Sequence, residues 1–365
     1  MRVSIVDPVG GHGGMDYYDY GLAQGLGGNN LNVNYYTCNK TNVRFYDNVQ
    51  TNATFGNVWE NKGLFKLLAF LSGYVKAFKN AKRAKSEVLH FQFFGLGKIN
   101  LIVLAIASLF KQKKVVTLHD IESFHKGSSK FIAKLCLTLI DGIIVHNQFS
   151  KSEFEKNFKF NGKTSIIPHG NYLPFVETQP LNSKSPLINI LFFGQIKEVK
   201  GIDVLLDAME KVVKKSNHYH LTIAGRPWKT EVKYYEDKIK KMGLSNHVTT
   251  HFKYIKDEDV DQLYKNASII VMPYKKIYQS GVLLLSLSYG RTVIASDLSP
   301  FKEVISDGEN GFLFESENSS SLSNCILKLN HQLIEDTTEN SKHLISQKYD
   351  WVKIGKATLK FYTSL

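Results

Sequence analysis

Two short segments hold the residues best suited to grip a diphosphate. The first is Phe193-Gly194-Gln195-Ile196-Lys197-Glu198-Val199-Lys200-Gly201. Lys197 and Lys200 fall just ahead of a helical pattern, where backbone amides already favour an anion. Two ammonium groups there can bind a diphosphate and stabilise it as a leaving group. Solvated lysines in a lysine-rich chain are the competing explanation. The second segment is Gln279-Ser280-Gly281-Val282-Leu283-Leu284-Leu285. Ser280 is a good N-cap and Gly281 leaves the first helical turn open, so the amides of Gly281 and Val282 can face an anion. An ordinary capped, buried helix would read the same way.

A third candidate is the glycine-rich turn Gly10-Gly11-His12-Gly13-Gly14 after the first strand-like run, with Gly13 and Gly14 as possible donor contacts. A dinucleotide fingerprint fails here, because Asp16 stands where its third glycine belongs and Asn34-Tyr35-Tyr36-Thr37 brings no acidic residue to the end of the next strand. A tight turn with no ligand stays open. His119 follows the run Val115-Val116-Thr117-Leu118 and can bind or move protons from a strand's carboxyl end; His90, His146 and His169 end similar runs. Asp257-Glu258-Asp259 resembles a metal triplet but opens a helix, where acids serve the dipole, and no metal is expected.

These residues need a scaffold, and the chain alternates strand-like and helix-like runs almost throughout. Val3–Val6, Val33–Tyr36, Val88–Phe91, Val115–Leu118, Ile143–Val145 and Ser165–Ile167 read as strands of a first sheet. Ile188–Phe193, Leu221–Ala224, Val248–Phe252, Ile269–Met272 and Val293–Ala295 read as strands of a second. Runs rich in Val and Ile without polar alternation indicate parallel strands buried on both faces. Pro174, Pro180 and Pro186 mark a linker over residues 172–187, between a first domain of 1–171 and a second of 188–349, with 350–365 crossing back. The expected fold class is α/β: two doubly wound Rossmann-like domains facing across a cleft, with ligands beyond the strands' carboxyl ends.

The 365 residues carry a formal net charge of +13, a surface that attracts anionic lipid or phosphorylated ligands; no nucleic-acid-binding module accompanies it. Cys38, Cys136 and Cys325 are widely spaced and odd in number, which fits a reducing compartment. The longest apolar run, Leu101 to Phe110, is short of the roughly 20 residues of a membrane span and reads as a buried helix. The segment from Phe65 to Lys85 reads as a basic amphipathic helix, with Lys76, Lys79, Lys82 and Arg83 facing an anionic membrane and Phe65, Phe70, Tyr74 and Phe78 inserting; a packed helix with a solvated basic face is the alternative. The expected location is the cytoplasm, peripheral on the inner face of the membrane.

In this order the motifs resemble the family-4 retaining glycosyltransferases of the GT-B fold, over nearly the whole chain. Thr117-Leu118-His119-Asp120 is similar to the family's acceptor-side histidine block, and Val145-His146-Asn147 and Ile167-Pro168-His169-Gly170 to two others. Lys200-Gly201 is similar to the lysine that contacts the donor diphosphate. Ile223-Ala224-Gly225, with Arg226 beside it, and Phe252-Lys253-Tyr254-Ile255 are similar to segments near the nucleotide. Ser288 to Asp297 is the most specific stretch. The resemblance implies transfer of a sugar, with retention, from a nucleotide-sugar donor to a glycan or lipid-linked acceptor, with no further cofactor and with His119 and Lys200 as catalytic residues. The Gln279–Val282 pattern resembles enzymes of exopolysaccharide and surface-glycan assembly. Ile277 and Leu285 stand where the family commonly has two glutamates, and Gln195 where it often has an arginine. A non-catalytic sugar-nucleotide or glycan binder, or an epimerase or phosphorylase of this fold, are the alternatives.

Overall fold

The structure, a computed structural model, describes residues 1–11, 14–121, 129–178 and 187–365. It divides into two compact units, Met1–Gly170 with Tyr349–Leu365, and Asn171–Lys348. Each is built on one parallel sheet.

The first sheet contains β1 (Arg2–Val6), β2 (Asn32–Tyr36), β3 (Val49–Asn52), β4 (Val88–Phe93), β5 (Lys113–Leu118), β6 (Gly142–Val145) and β7 (Lys163–Ile166), in the order β3-β2-β1-β4-β5-β6-β7. β4 and β6 are buried at every residue, as parallel strands covered on both faces must be. β3 has the sequence Val-Gln-Thr-Asn, lies at the sheet edge and is partly exposed. An edge strand needs no apolar run, so this one is not visible in the sequence. The C-terminal helix Trp351–Thr363 packs on the first helix, Met15–Gly27. Its Trp351 ring lies 5.6 Å from that of Tyr18, and Asn29 donates to the Val352 carbonyl at 2.8 Å.

The second sheet contains β8 (Ile188–Phe193), β9 (Tyr219–Ala224), β10 (Val248–His251), β11 (Ile269–Met272), β12 (Thr292–Ser296) and β13 (Phe312–Phe314), in the order β10-β9-β8-β11-β12-β13. β13 and the helix His331–Lys348 are additions to the sequence reading; the first is three residues long and the second is largely polar.

Two helices differ from expectation. The apolar run near Leu101 forms the helix Lys98–Ala107, but only Val103, Leu104 and Ala107 are buried, and Ile99 and Ile102 are exposed. In the helix Gly63–Arg83, Tyr74 and Phe78 are buried, packing around Phe91, so neither can enter a membrane. Phe70 packs against Tyr74 at 5.1 Å. Aromatic spacing in sequence does not say which face of a helix a ring occupies; the core claims these. No helix among the described residues is long and apolar enough to cross a membrane.

Candidate functional site

In the second sheet the chain leaves β8 toward β9 and leaves β11 toward β12, on opposite sides. The crevice beyond the carboxyl ends of two such neighbours is where ligands bind in doubly wound sheets. Here those ends are Phe193-Gly194 and Met272-Pro273-Tyr274. The 3-10 turn Glu198–Lys200 follows β8 and is closed by Gly201 at φ 68°. A side chain at Gly201 would put its Cβ 1.8 Å from the Pro273 carbonyl oxygen, so the turn is seated directly on the end of β11.

That seat delivers Lys200. Its Nζ lies 3.6 Å from the centroid of the buried Tyr274 ring, a cation–π contact. Among the described residues no carboxylate pairs with it. Burial first, and the charge of Lys197 second, pull its ammonium down to about 7. Lys197 Nζ sits 5.6 Å above the Trp228 ring. Two cations therefore rest on aromatic faces, which hold them in place without neutralising them. Tyr274 and Trp228 carry no signal in the sequence, since nothing in the spacing pairs them with the lysines.

β11 then leads to the helix Gly281–Ser288. Ser280 caps it, its Oγ accepting from the Leu283 amide at 3.2 Å. The amides of Gly281 and Val282 have no partner among the described residues, as expected for the first turn of a helix. The Gln279 Oε1 atom is buried and likewise unpaired. Ile277 and Leu285 are partly exposed and apolar, so neither position supplies a carboxylate.

The other sequence candidates fall along the same sheet edge. Gly194 donates to the Ala224 carbonyl at 3.1 Å, which sets Gly225 beside it, with Gln195 and Arg226 exposed. Tyr254 is exposed and Ile255 buried beyond β10, just ahead of the helix Asp257–Asn266. Asp257, Glu258 and Asp259 occupy the first turn of that helix.

The glycine turn of the first unit is different. Gly13 lies outside the described residues. Gly14 is the N-cap of the helix Met15–Gly27. The Gly11 amide donates to Asp16 Oδ2 at 2.7 Å, so the turn's anion partner is its own carboxylate. Asp7 and Asp19 are buried nearby, and burial pushes the Asp7 carboxyl up to about 6. The described part of the turn thus spends its Gly11 amide on Asp16, and the expectation of donor contacts at Gly13 falls on a residue outside the described ones.

Histidines fill the carboxyl edge of the first sheet. His119, His146 and His169 are buried; the His119 and His146 rings lie 5.2 Å apart, and those of His146 and His169 5.7 Å apart. Tyr18 touches all three. Burial drives the imidazoles well below their ordinary value, to about 3 for His146 and about 4 for His169, so all are neutral near pH 7. His90 is buried too, between Thr117 and Tyr362.

The family model of glycosyl transferases group 1 matches residues 188–332, the span that carries Lys200 and Gly281. The chain is a glycosyltransferase. It is 24% identical over 370 residues to an uncharacterized glycosyltransferase of Methanocaldococcus jannaschii, covering 96% of each. It is 26% identical over 201 residues to the GDP-mannose:glycolipid 4-beta-D-mannosyltransferase of Xanthomonas campestris pv. campestris, covering 54% of this chain and 55% of that one. Anabaena HepE, solved in complex with UDP, shares the fold with a TM-score of 0.75 over the whole of both chains at 19% identity.

The most specific sequence stretch of this glycosyltransferase contains a structural residue. Arg291 is completely buried, donating from Nε to the Tyr264 carbonyl at 2.8 Å and from Nη2 to that of Lys265 at 3.4 Å. It thus closes the carboxyl end of the helix Asp257–Asn266 with a cation, where the dipole favours one. Replacing Arg291 with leucine should cost about 1.5–3 kcal/mol of stability, the range for hydrogen bonds to charged groups. A thermal melt followed by circular dichroism should show a midpoint several degrees lower; an unchanged midpoint would contradict this role.

Proposed function

We propose that this glycosyltransferase moves a hexose from a nucleotide-diphosphate sugar to a glycan or lipid-linked acceptor, with retention of anomeric configuration. The observation that carries the reading is Lys200, a half-buried cation with no carboxylate partner among the described residues, held on Tyr274 at the switch point of the second sheet, from which the helix with the Gly281 and Val282 amides, unpaired among the described residues, also follows. Retention is implied by the family resemblance. The UDP seen with Anabaena HepE supports a nucleoside-diphosphate donor, and the glycolipid acceptor of the Xanthomonas relative supports a lipid-linked one.

In this reading Lys200, Lys197 and the two amides take up the negative charge that develops on the diphosphate as the glycosidic bond breaks. Positive charge supplied by the chain leaves no electrostatic need for a divalent ion. His119 positions the sugar or the acceptor. It does so as a neutral imidazole, since burial keeps it uncharged.

A panel of nucleotide sugars, screened by thermal shift and then by product analysis in the presence of a chelator, tests this. A stabilising donor whose sugar is transferred without added metal is the expected result. Binding without turnover would leave a sugar-nucleotide binder, and a rate that collapses in chelator and returns only with a divalent ion would overturn the metal-free mechanism.

A further inference from the structure

Beside His119 the first unit keeps two buried polar atoms that have no hydrogen-bond partner among the described residues. His119 Nε2 and Gln92 Oε1 are 2.9 Å apart, which leaves Gln92 Nε2 without a partner. Turning the amide over leaves its other end equally alone. His146 Nδ1 lies 2.9 Å from the Ile167 carbonyl oxygen, which can only accept, so Nδ1 carries the proton. His146 Nε2 is then a bare acceptor, and it too has no partner. Gln92 is 5% exposed and His146 7%, so these are true interior groups. Leaving such groups unpaired is costly, and native proteins do it where something else completes the bond.

The surroundings suggest what completes it. Gln92 lies in β4, and His119 and His146 directly follow β5 and β6, so three adjacent strands bring them to one edge. Phe94 stacks on His119 with centroids 5.1 Å apart and an interplanar angle of 27°, while 48% of its surface is exposed. An unpaired donor, an unpaired acceptor and an exposed aromatic ring together match a pyranose. Its hydroxyl both accepts and donates, and its C–H face packs on a ring. A phosphodiester or diphosphate oxygen without a proton suits His146 Nε2 less well, since a neutral acceptor offers it no proton.

We infer that Gln92, His146 and Phe94 form a pyranose seat on the first unit, with Gln92 donating to one sugar hydroxyl, His146 Nε2 accepting from it and Phe94 packing on the ring. The inference rests on the reading of the chain as a sugar-transferring enzyme. The sugar is that of the acceptor or that of the donor, and the same chemistry serves both.

The test uses the full chain with Phe94→Ala, Gln92→Met and His146→Phe. In one arm, titration calorimetry compares UDP-glucose and GDP-mannose with UDP and GDP; the ratio of the two affinities isolates the sugar's contribution. In the other, saturation-transfer NMR measures binding of methyl glucoside, mannoside and galactoside. Phe94 is exposed, so its alanine variant should fold even if a core variant does not. A seat for the donor sugar predicts a loss of about five- to tenfold in the ratio, the worth of one or two neutral hydrogen bonds, with diphosphate affinity unchanged. A seat for the acceptor predicts loss of the glycoside signals with that ratio intact. No change in either arm for folded Phe94→Ala and Gln92→Met would mean that water alone occupies these atoms, and would overturn the inference. Absence of diphosphate binding in the wild-type chain would count against the donor reading instead, and the glycoside arm would still decide the seat.

Discussion

Replacing Lys200 with methionine should lower donor affinity or turnover at least tenfold, and should also flatten its dependence on pH. Methionine keeps an unbranched apolar stem for the Tyr274 ring, so the change removes charge with little loss of packing. A charge-assisted contact contributes about 1.5–3 kcal/mol, and tenfold corresponds to about 1.4 kcal/mol. The pH effect follows from the sign of the shift. Burial and Lys197 lower the Lys200 ammonium to about 7 in the free protein. A bound diphosphate favours the ammonium and raises that value, so binding above neutrality takes up a proton. Affinity for an intact nucleotide sugar, whose own phosphates do not titrate in this range, should therefore fall as the pH rises above about 7, by up to tenfold per unit. The fall stops at the higher value of the bound state. Calorimetry between pH 6 and 9 in buffers of differing ionisation enthalpy measures both the affinity and the proton uptake. A wild-type affinity that is level across this range, or a methionine variant that binds and turns over normally, would remove Lys200 from the site.

The sequence makes some of this site legible and hides the rest for definite reasons. Lys197, Lys200 and Ser280-Gly281 stand out because strand-to-helix junctions are local, and their chemistry depends on near neighbours. The parallel sheets are equally visible, since β6 and β11 have no polar side chain and β4 and β12 are apolar at most positions. What contacts across the fold supply is not visible. Tyr274 reaches Lys200 only because Gly201 seats its turn on β11. That the Gly11 amide is taken by Asp16, five residues on, cannot be read from the glycine spacing. The unpaired atoms of Gln92 and His146 appear only once β4, β5 and β6 lie side by side.

The second large effect concerns the helix Gly63–Arg83. With Tyr74, Ala77, Phe78 and Ala81 buried, the outward side is fixed by the helical period. Phe65, Leu68, Ser72, Lys76, Lys79 and Arg83 follow one another at three- or four-residue steps and form a single stripe on that side. Its first half is apolar, with Leu64, Phe65 and Leu68 exposed at 68%, 78% and 54%. Its second half is basic, and Lys82 adds a fourth exposed cation to Lys76, Lys79 and Arg83. An apolar end that can enter a headgroup layer and a basic end that meets anionic lipid are the two elements of a reversible surface anchor. The inserting residues are then Leu64, Phe65 and Leu68, in place of the buried aromatics. Each cation near an anionic surface is worth about 1 kcal/mol, and half of that from four residues gives about 2 kcal/mol, roughly 30-fold in partitioning. We therefore expect the protein to co-sediment with vesicles containing anionic lipid and not with neutral ones. Changing Lys76, Lys79, Lys82 and Arg83 to glutamate should abolish this, and Phe65→Ser with Leu68→Ser should weaken it while leaving its salt dependence in place. Circular dichroism confirms that each variant is folded, which is expected because none of these side chains is buried. Equal binding to neutral and anionic vesicles, or undiminished binding by the folded charge-reversal variant, would exclude this helix as the anchor.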